Sequence, residues 1–303
     1  FQAEDGIRDD ISCLVGSEMC IRDRSGSVRL NVGLLHLEAM ELDQLSVDAA
    51  LDKSHLKLTM KAENERFIAD VDLKPVGAEW QIVLNKKARM DLGELIDRKK
   101  YGEDESQAPV DLKLHLEGSG NSPEKLLQSA TGQMLMVIGE GQLSEAIAQH
   151  LPLGNVLYTL VGAILNEEGL TKKEDRGKLE CIVVQLDVAD GIATSSKGLA
   201  LRTDQINILG GGALKLQTGE IELQFKTARR KGLGINLMGV ADRLVSVTGT
   251  LDEPTVSLNV GTAAVYGAAA WATAGLSVLA DSIYTRMTGF SNPCEHVMKS
   301  IGK

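Results

Sequence analysis

Ser122-Pro-Glu-Lys125 is the first place in this 303-residue chain where residue type and spacing could do chemistry. The spacing is S-x-x-K, which in penicillin-recognising enzymes supplies a serine nucleophile and a lysine beside it. The same residues also spell a helix start. Ser122 suits the cap, Pro123 the first helical position, and Glu124 the positive end of the helix dipole. No S-D-N or K-T-G follows, so the cap is the reading adopted. Gly210-Gly-Gly212 could cradle a phosphate, yet no Lys-Ser/Thr follows it and it lies between strand-like runs, not ahead of a helix. A bulge or bend in a long strand accounts for it better. The histidines, His36, His55, His115, His150 and His296, are scattered with no H-E-x-x-H pair, and none is assigned a role. No cluster meets the geometric roles of an active site. The chain is therefore expected not to be an enzyme and to use no cofactor or metal.

Cys13, Cys20, Cys181 and Cys294 form no C-x-x-C pair, which argues against a zinc site. Cys181 opens an apolar strand and reads as a small core residue. A Cys181–Cys294 disulfide is also open in an oxidising compartment, and the sequence does not decide between the two. The net charge of -10 argues against a phosphate-binding surface, and 3% aromatics leave few rings on which bases could stack. No nucleic-acid partner is expected. The one short basic run, Arg229-Arg230-Lys231, reads as a solvated loop after a strand.

The elements that must position any site begin after Arg24. Phe1–Arg24 has no period of 2 or 3.6 and no secretory signature. It resembles the conceptual translation of sequencing-adapter DNA, most specifically over Gly16–Arg24. It is expected to be a disordered artefact, with the natural chain extending further N-terminally. From Ser27 onward alternation dominates. Phe67, Ala69, Val71 and Leu73 share one strand face, with Asp70 and Asp72 opposite; Trp80, Ile82 and Leu84 alternate likewise. Lys74–Gly77 reads as the turn between these strands. Val28–Leu37, Leu45–Leu51 and His55–Lys61 read as earlier strands. Asp91 starts a short helix to residue 98, and 99–108 is a charged linker separating a β-rich segment, 25–98, from a second β domain, 109–261.

In that second domain Val110–Leu116 and Gly132–Ile138 read as strands flanking a helix from Pro123 to Ala130. Helices over Leu143–Gln149 and Asn155–Asn166 form an insert, 143–166; the second carries an apolar stripe of Leu153, Val156, Leu157, Leu160, Val161 and Ile164. Leu179–Val188, Ile192–Arg202, Gln205–Gln217, Glu220–Ala228, Val245–Leu251 and Thr255–Val260 then form a meander with turns at Asp190-Gly191, Asp204 and Thr218-Gly219. Thr262–Thr288 reads as one Ala/Gly-rich helix, with a tail to residue 303. Its small residues recur four apart (Ala264, Ala268 and Ala272) and Ala263–Ala280 is an uncharged run of 18 residues, which leaves open packing against protein, lying at a membrane interface or spanning a bilayer. The chain thus reads as mainly β with a few helices (α+β), built on a long antiparallel sheet with one apolar face.

Several runs resemble the C-terminal domain of AsmA-type proteins. They are Gly191–Asp204, Ile208–Leu223 and Val245–Val256. Leu116–Leu127 with Thr131-Gly-Gln133 is similar to a second family hallmark, and Asn292-Pro-Cys294 to a third. The match covers about Val110 to Cys294; residues 25–98 fit as further β-rich repeat. The resemblance implies a Gram-negative protein anchored in the inner membrane by an N-terminal helix absent from this chain. It would project into the periplasm as a long curved sheet with an apolar concave groove. The family is implicated in phospholipid passage to the outer membrane and in outer-membrane biogenesis.

The residues themselves support that mechanism. An exposed apolar face beyond a few hundred Å² marks a binding surface, and the helices are few. Each acyl CH₂ buried against such a face gains ~0.8 kcal/mol, so a lipid chain can be held without charged ligands. The candidate lining is Leu112, Leu114, Leu116, Val184, Leu186, Leu199, Leu201, Ile221, Leu223 and Phe225, each of which also reads as plain core. A protein-interaction module tuning outer-membrane protein assembly, docking its partner through the 262–288 helix, is the competing expectation.

Overall fold

The protein is described from a computed structural model over residues 25–37, 40–62, 66–91, 108–142, 154–167, 178–195, 198–230, 243–258 and 292–301. Alternating sequence gives alternating burial here, and the outcome is a single antiparallel sheet. Its strands are β1 (Ser25–Leu37), β2 (Met40–Asp52), β3 (His55–Ala62), β4 (Phe67–Val76), β5 (Glu79–Asp91), β6 (Pro109–Gly120), β7 (Thr131–Ile138), β8 (Gly141–Gln142), β9 (Lys178–Ala189), β10 (Ile192–Thr194), β11 (Leu199–Thr203), β12 (Ile206–Lys215), β13 (Glu220–Arg229), β14 (Arg243–Thr250) and β15 (Pro254–Leu258). The strands follow one another across the sheet in chain order. Two lines are interrupted: β7 and β8 both pair with one side of β9, and β10 and β11 both pair with the other. Thirteen strand positions result.

Among the described residues three helices accompany the sheet: α1 (Pro123–Gln128), α2 (Gly154–Glu167) and α3 (Pro293–Ile301). The helix start read at Ser122 is capped as its sequence dictates, and a second start, in what was expected to be a tail, is built the same way. Ser122 accepts the Lys125 N–H at 3.3 Å, and Asn292 Oδ1 accepts the Glu295 N–H at 3.2 Å, each with Pro next in line. The structure is thus mainly β with few helices, as the alternation implies.

Three expectations shift in detail. The β4–β5 turn lies at Gly77-Ala78, not over Lys74–Gly77, because Gly77 takes the left-handed φ of 65° that closes it while Pro75 stays paired with Trp80. The strand expected over Ile192–Arg202 is two, since at Ser195 the backbone leaves β9 and donates to the Gly212 carbonyl at 2.9 Å. β5 and β6 pair from Trp80–Gly120 to Asp91–Pro109, so the sheet runs unbroken across the 99–108 linker. Phe1–Arg24, helix 91–98 beyond Asp91, the linker up to residue 107, Leu143–Gln149 and the Thr262–Thr288 helix lie outside the described residues.

Candidate functional site: one apolar face

Because side chains alternate along a strand, the register decides which residues share a face. One row can be followed across every strand position: Val28, Ala49, Leu58, Val71, Leu84, Leu116, Gly132, Val188, Ala193, Leu214, Ile221, Gly249 and Pro254. No polar side chain interrupts it. At a strand spacing of about 4.8 Å the row is roughly 60 Å long. All ten candidate lining residues fall on this face. Leu112 and Leu114 oppose Met136 and Met134 on β7, which oppose Val184 and Leu186 on β9. Leu199 and Leu201 continue the face on β11, and Ile221, Leu223 and Phe225 on β13.

Burial divides the face. Val184, Leu186, Leu199, Leu201, Ile221, Leu223 and Phe225 are sealed, none more than 7% exposed. They form one core with Val156, Leu157 and Leu160 of the α2 stripe. Leu112, Leu114 and Leu116 remain half-buried. Towards β1 the same face opens: Leu30 is 37% exposed, Leu51 43% and Val28 64%. Its β9–β14 end is closed, and over β2–β6 Leu45, Ala62, Phe67, Ala69, Ala88 and Val110 are buried in the same core, so its accessible part lies over β1–β6 in the rows on the Val28, Leu58 and Leu84 side of them.

The opposite face carries nearly all the charges of β1–β6, several of them in cross-strand pairs. Arg29 pairs with Asp48, His55 with Asp72 (2.6 Å) and Arg89 with Asp111 (2.7 Å). Over β9, β11 and β12 this face is covered by α3. Cys294 and Val297 pack with Val183, Ala200 and Leu209, and Cys294 is disulfide-bonded to Cys181. The core and disulfide readings of Cys181 are therefore both met.

The other sequence motifs have structural explanations. Ser122 Oγ receives a backbone N–H, and Glu124 sits below the usual carboxylate range because it accepts its own backbone N–H and the Ser122 hydroxyl. Gly210 lies in the middle of β12 opposite Phe225, where a β-carbon would stand 2.2 Å from the ring. It makes room for core packing and no phosphate. Arg230, read as solvated, is instead half-buried: its Nη1 pairs with Glu180 and donates to the Thr203 carbonyl at 2.6 Å. Arg202 pairs with the same carboxylate at 2.5 Å. Burial alone would raise the Glu180 pKa, but the two arginines outweigh it and hold the carboxyl below its usual range. Among the described residues no three His, Cys, Asp or Glu are placed to share a metal ion.

Sequence reasoning passed over Lys86. It shares its parity with Trp80, Ile82 and Leu84, which places it on the apolar face between Ala69 and Leu114. Its ammonium lies 5.0 Å from the centre of the Phe67 ring. Continuing the alternation two residues past Leu84 would have found it.

The described residues thus form a long antiparallel meander with one apolar face, most exposed at its β1 end and sealed at the other. The chain is similar to the AsmA family protein YhjG of Escherichia coli (strain K12), being 26% identical over 191 residues, 62% of this chain and 26% of that protein. The chain thus spans about a quarter of the length of the curated relative it matches. The similarity supports the AsmA resemblance. No family model matches the chain, and no solved structure matches it. None of the helices among the described residues is long and apolar enough to cross a membrane.

Proposed function

We propose that this chain is part of a periplasmic protein that carries phospholipid, with acyl chains lying along the open part of the apolar face over β1–β6. The uninterrupted row from Val28 to Pro254 carries this reading. A sheet face normally buries its apolar side in a second layer. Here the β9–β14 end does so, whereas Val28, Leu30 and Leu51 stay exposed on the same face. Each methylene laid on that surface gains ~0.8 kcal/mol, so a hydrocarbon tail is retained without any directional ligand and can slide along it. The Cys181–Cys294 bond fits an oxidising compartment such as the periplasm. Passage between inner and outer membrane and a part in outer-membrane biogenesis follow from the AsmA resemblance.

Native mass spectrometry of the protein purified from the periplasm tests this. Phospholipid should co-purify with the wild-type chain and be lost from Leu30→Asp and Leu114→Asp proteins that keep wild-type circular dichroism. A wild-type chain free of lipid that still captures an assembly protein would overturn the reading in favour of an interaction module.

A further inference from the structure

From β3 to β7 the strand residues on the apolar face are apolar or glycine, with one exception. Row by row, Leu30, Val47, Met60, Ala69, Lys86, Leu114, Met134 and Leu186 lie side by side, and Lys86 is the one that carries charge. Its strand neighbours on that face are Leu84 and Ala88. Lys86 is half-buried, and burial lowers the pKa of its ammonium. A desolvated ammonium costs free energy unless a charge or several hydrogen bonds meet it. Among the described residues no carboxylate pairs with it; the contact it makes is with the face of the Phe67 ring. A cation over an aromatic face keeps its outward side free to meet an anion. Cross-strand partners elsewhere on β4–β6 show the contrast, since Arg89 on the polar face has Asp111 directly opposite.

We infer that Lys86 is the anchor for the anionic head of an acyl lipid, holding one phosphodiester while the tails lie on the rows to either side. The inference rests on the proposed lipid-carrying face, and it adds a fixed point to it. The rows of Leu56 and Leu58 on one flank and Leu112, Leu114 and Leu116 on the other offer apolar surface within reach of tails attached to that head. Lys86 thereby gives an otherwise featureless surface a preference for an acidic lipid over a neutral one with the same tails.

Binding of phosphatidylglycerol, of diacylglycerol with the same chains, and of glycerol phosphate to the full chain would be compared, with wild type, Lys86→Met and Lys86→Arg. The wild type should prefer phosphatidylglycerol to diacylglycerol by about 10-fold, the size of one charge-assisted contact of roughly 1.4 kcal/mol. Lys86→Met should lose that preference while still binding diacylglycerol, and Lys86→Arg should retain it. Glycerol phosphate should bind far more weakly than either lipid; if it binds as tightly as phosphatidylglycerol, the site is for a free phosphate and the lipid anchor is wrong. Equal preference in wild type and Lys86→Met overturns the anchor and leaves the lipid face standing. Failure of every protein to bind diacylglycerol overturns the face and the anchor together.

Discussion

Phe225 lies so close to Gly210 across the β12–β13 ladder that a β-carbon at 210 would meet Cδ1 of the ring at 2.2 Å and the Gln224 carbonyl oxygen at 2.4 Å. Gly210→Ala should therefore displace a ring that is 1% exposed and lower stability by about 3 kcal/mol. Gly77 is the control. A β-carbon there meets nothing within 4 Å, and the cost is only that of holding φ at 65°, about 1 kcal/mol. Urea melts of the two variants should separate by that margin.

The Cys181–Cys294 bond closes a loop of 113 residues. A cross-link of that span removes unfolded-state entropy worth up to about 4–5 kcal/mol. Reduction, or Cys294→Ala, should lower the unfolding free energy by about 3–4 kcal/mol. Amide exchange should quicken first in α3, whose anchorage is that bond together with Val297.

Half-buried Glu180 and buried Glu222 should respond oppositely to pH. The folded pKa of Glu180 lies below its ordinary value because of Arg230 and Arg202. Its contribution is full above the ordinary carboxylate range and is lost as pH falls through the folded value. Glu180→Gln should cost about 1–3 kcal/mol at pH 7 and much less near pH 3. Glu222 has only burial acting on it, which pushes its carboxyl up. The native state then holds that proton more tightly than the unfolded chain, so stability is lost as pH rises through the folded value. Glu222→Gln should be more stable than wild type at pH 7 and indistinguishable from it near pH 4. Thermal melts from pH 3 to 8 would show the two trends crossing.

The alternation that reveals the sheet is local, and so the strands, the apolar parity and the Ser122 cap were readable from the sequence. What decides accessibility is not local. Leu114 and Leu223 have the same side chain and the same strand parity, yet one is half-buried and the other 2% exposed, because the second lies at the closed end of the face with the α2 core. Leu223→Asp would unfold the core and report nothing about lipid, whereas Leu30 and Leu114 are fair probes. The Cys181–Cys294 pairing was undecidable for a related reason: its two residues meet only after α3 folds back over β9 and β11. Lys86 was readable but was masked by its residue type, since an alternation search that scores only apolar residues stops at the first lysine.

Nearest neighbours in the chain are nearest neighbours in the sheet from β1 to β7, and each strand from β2 to β6 pairs only with the one before and the one after. Such an array behaves as a one-dimensional stack in which cohesion accumulates unit by unit. The sealed β9–β14 end, cross-linked through Cys181, acts as its foundation, and the β1 end as its loosest tier. Strands at the β1 end can consequently open and re-form without the foundation ever letting go.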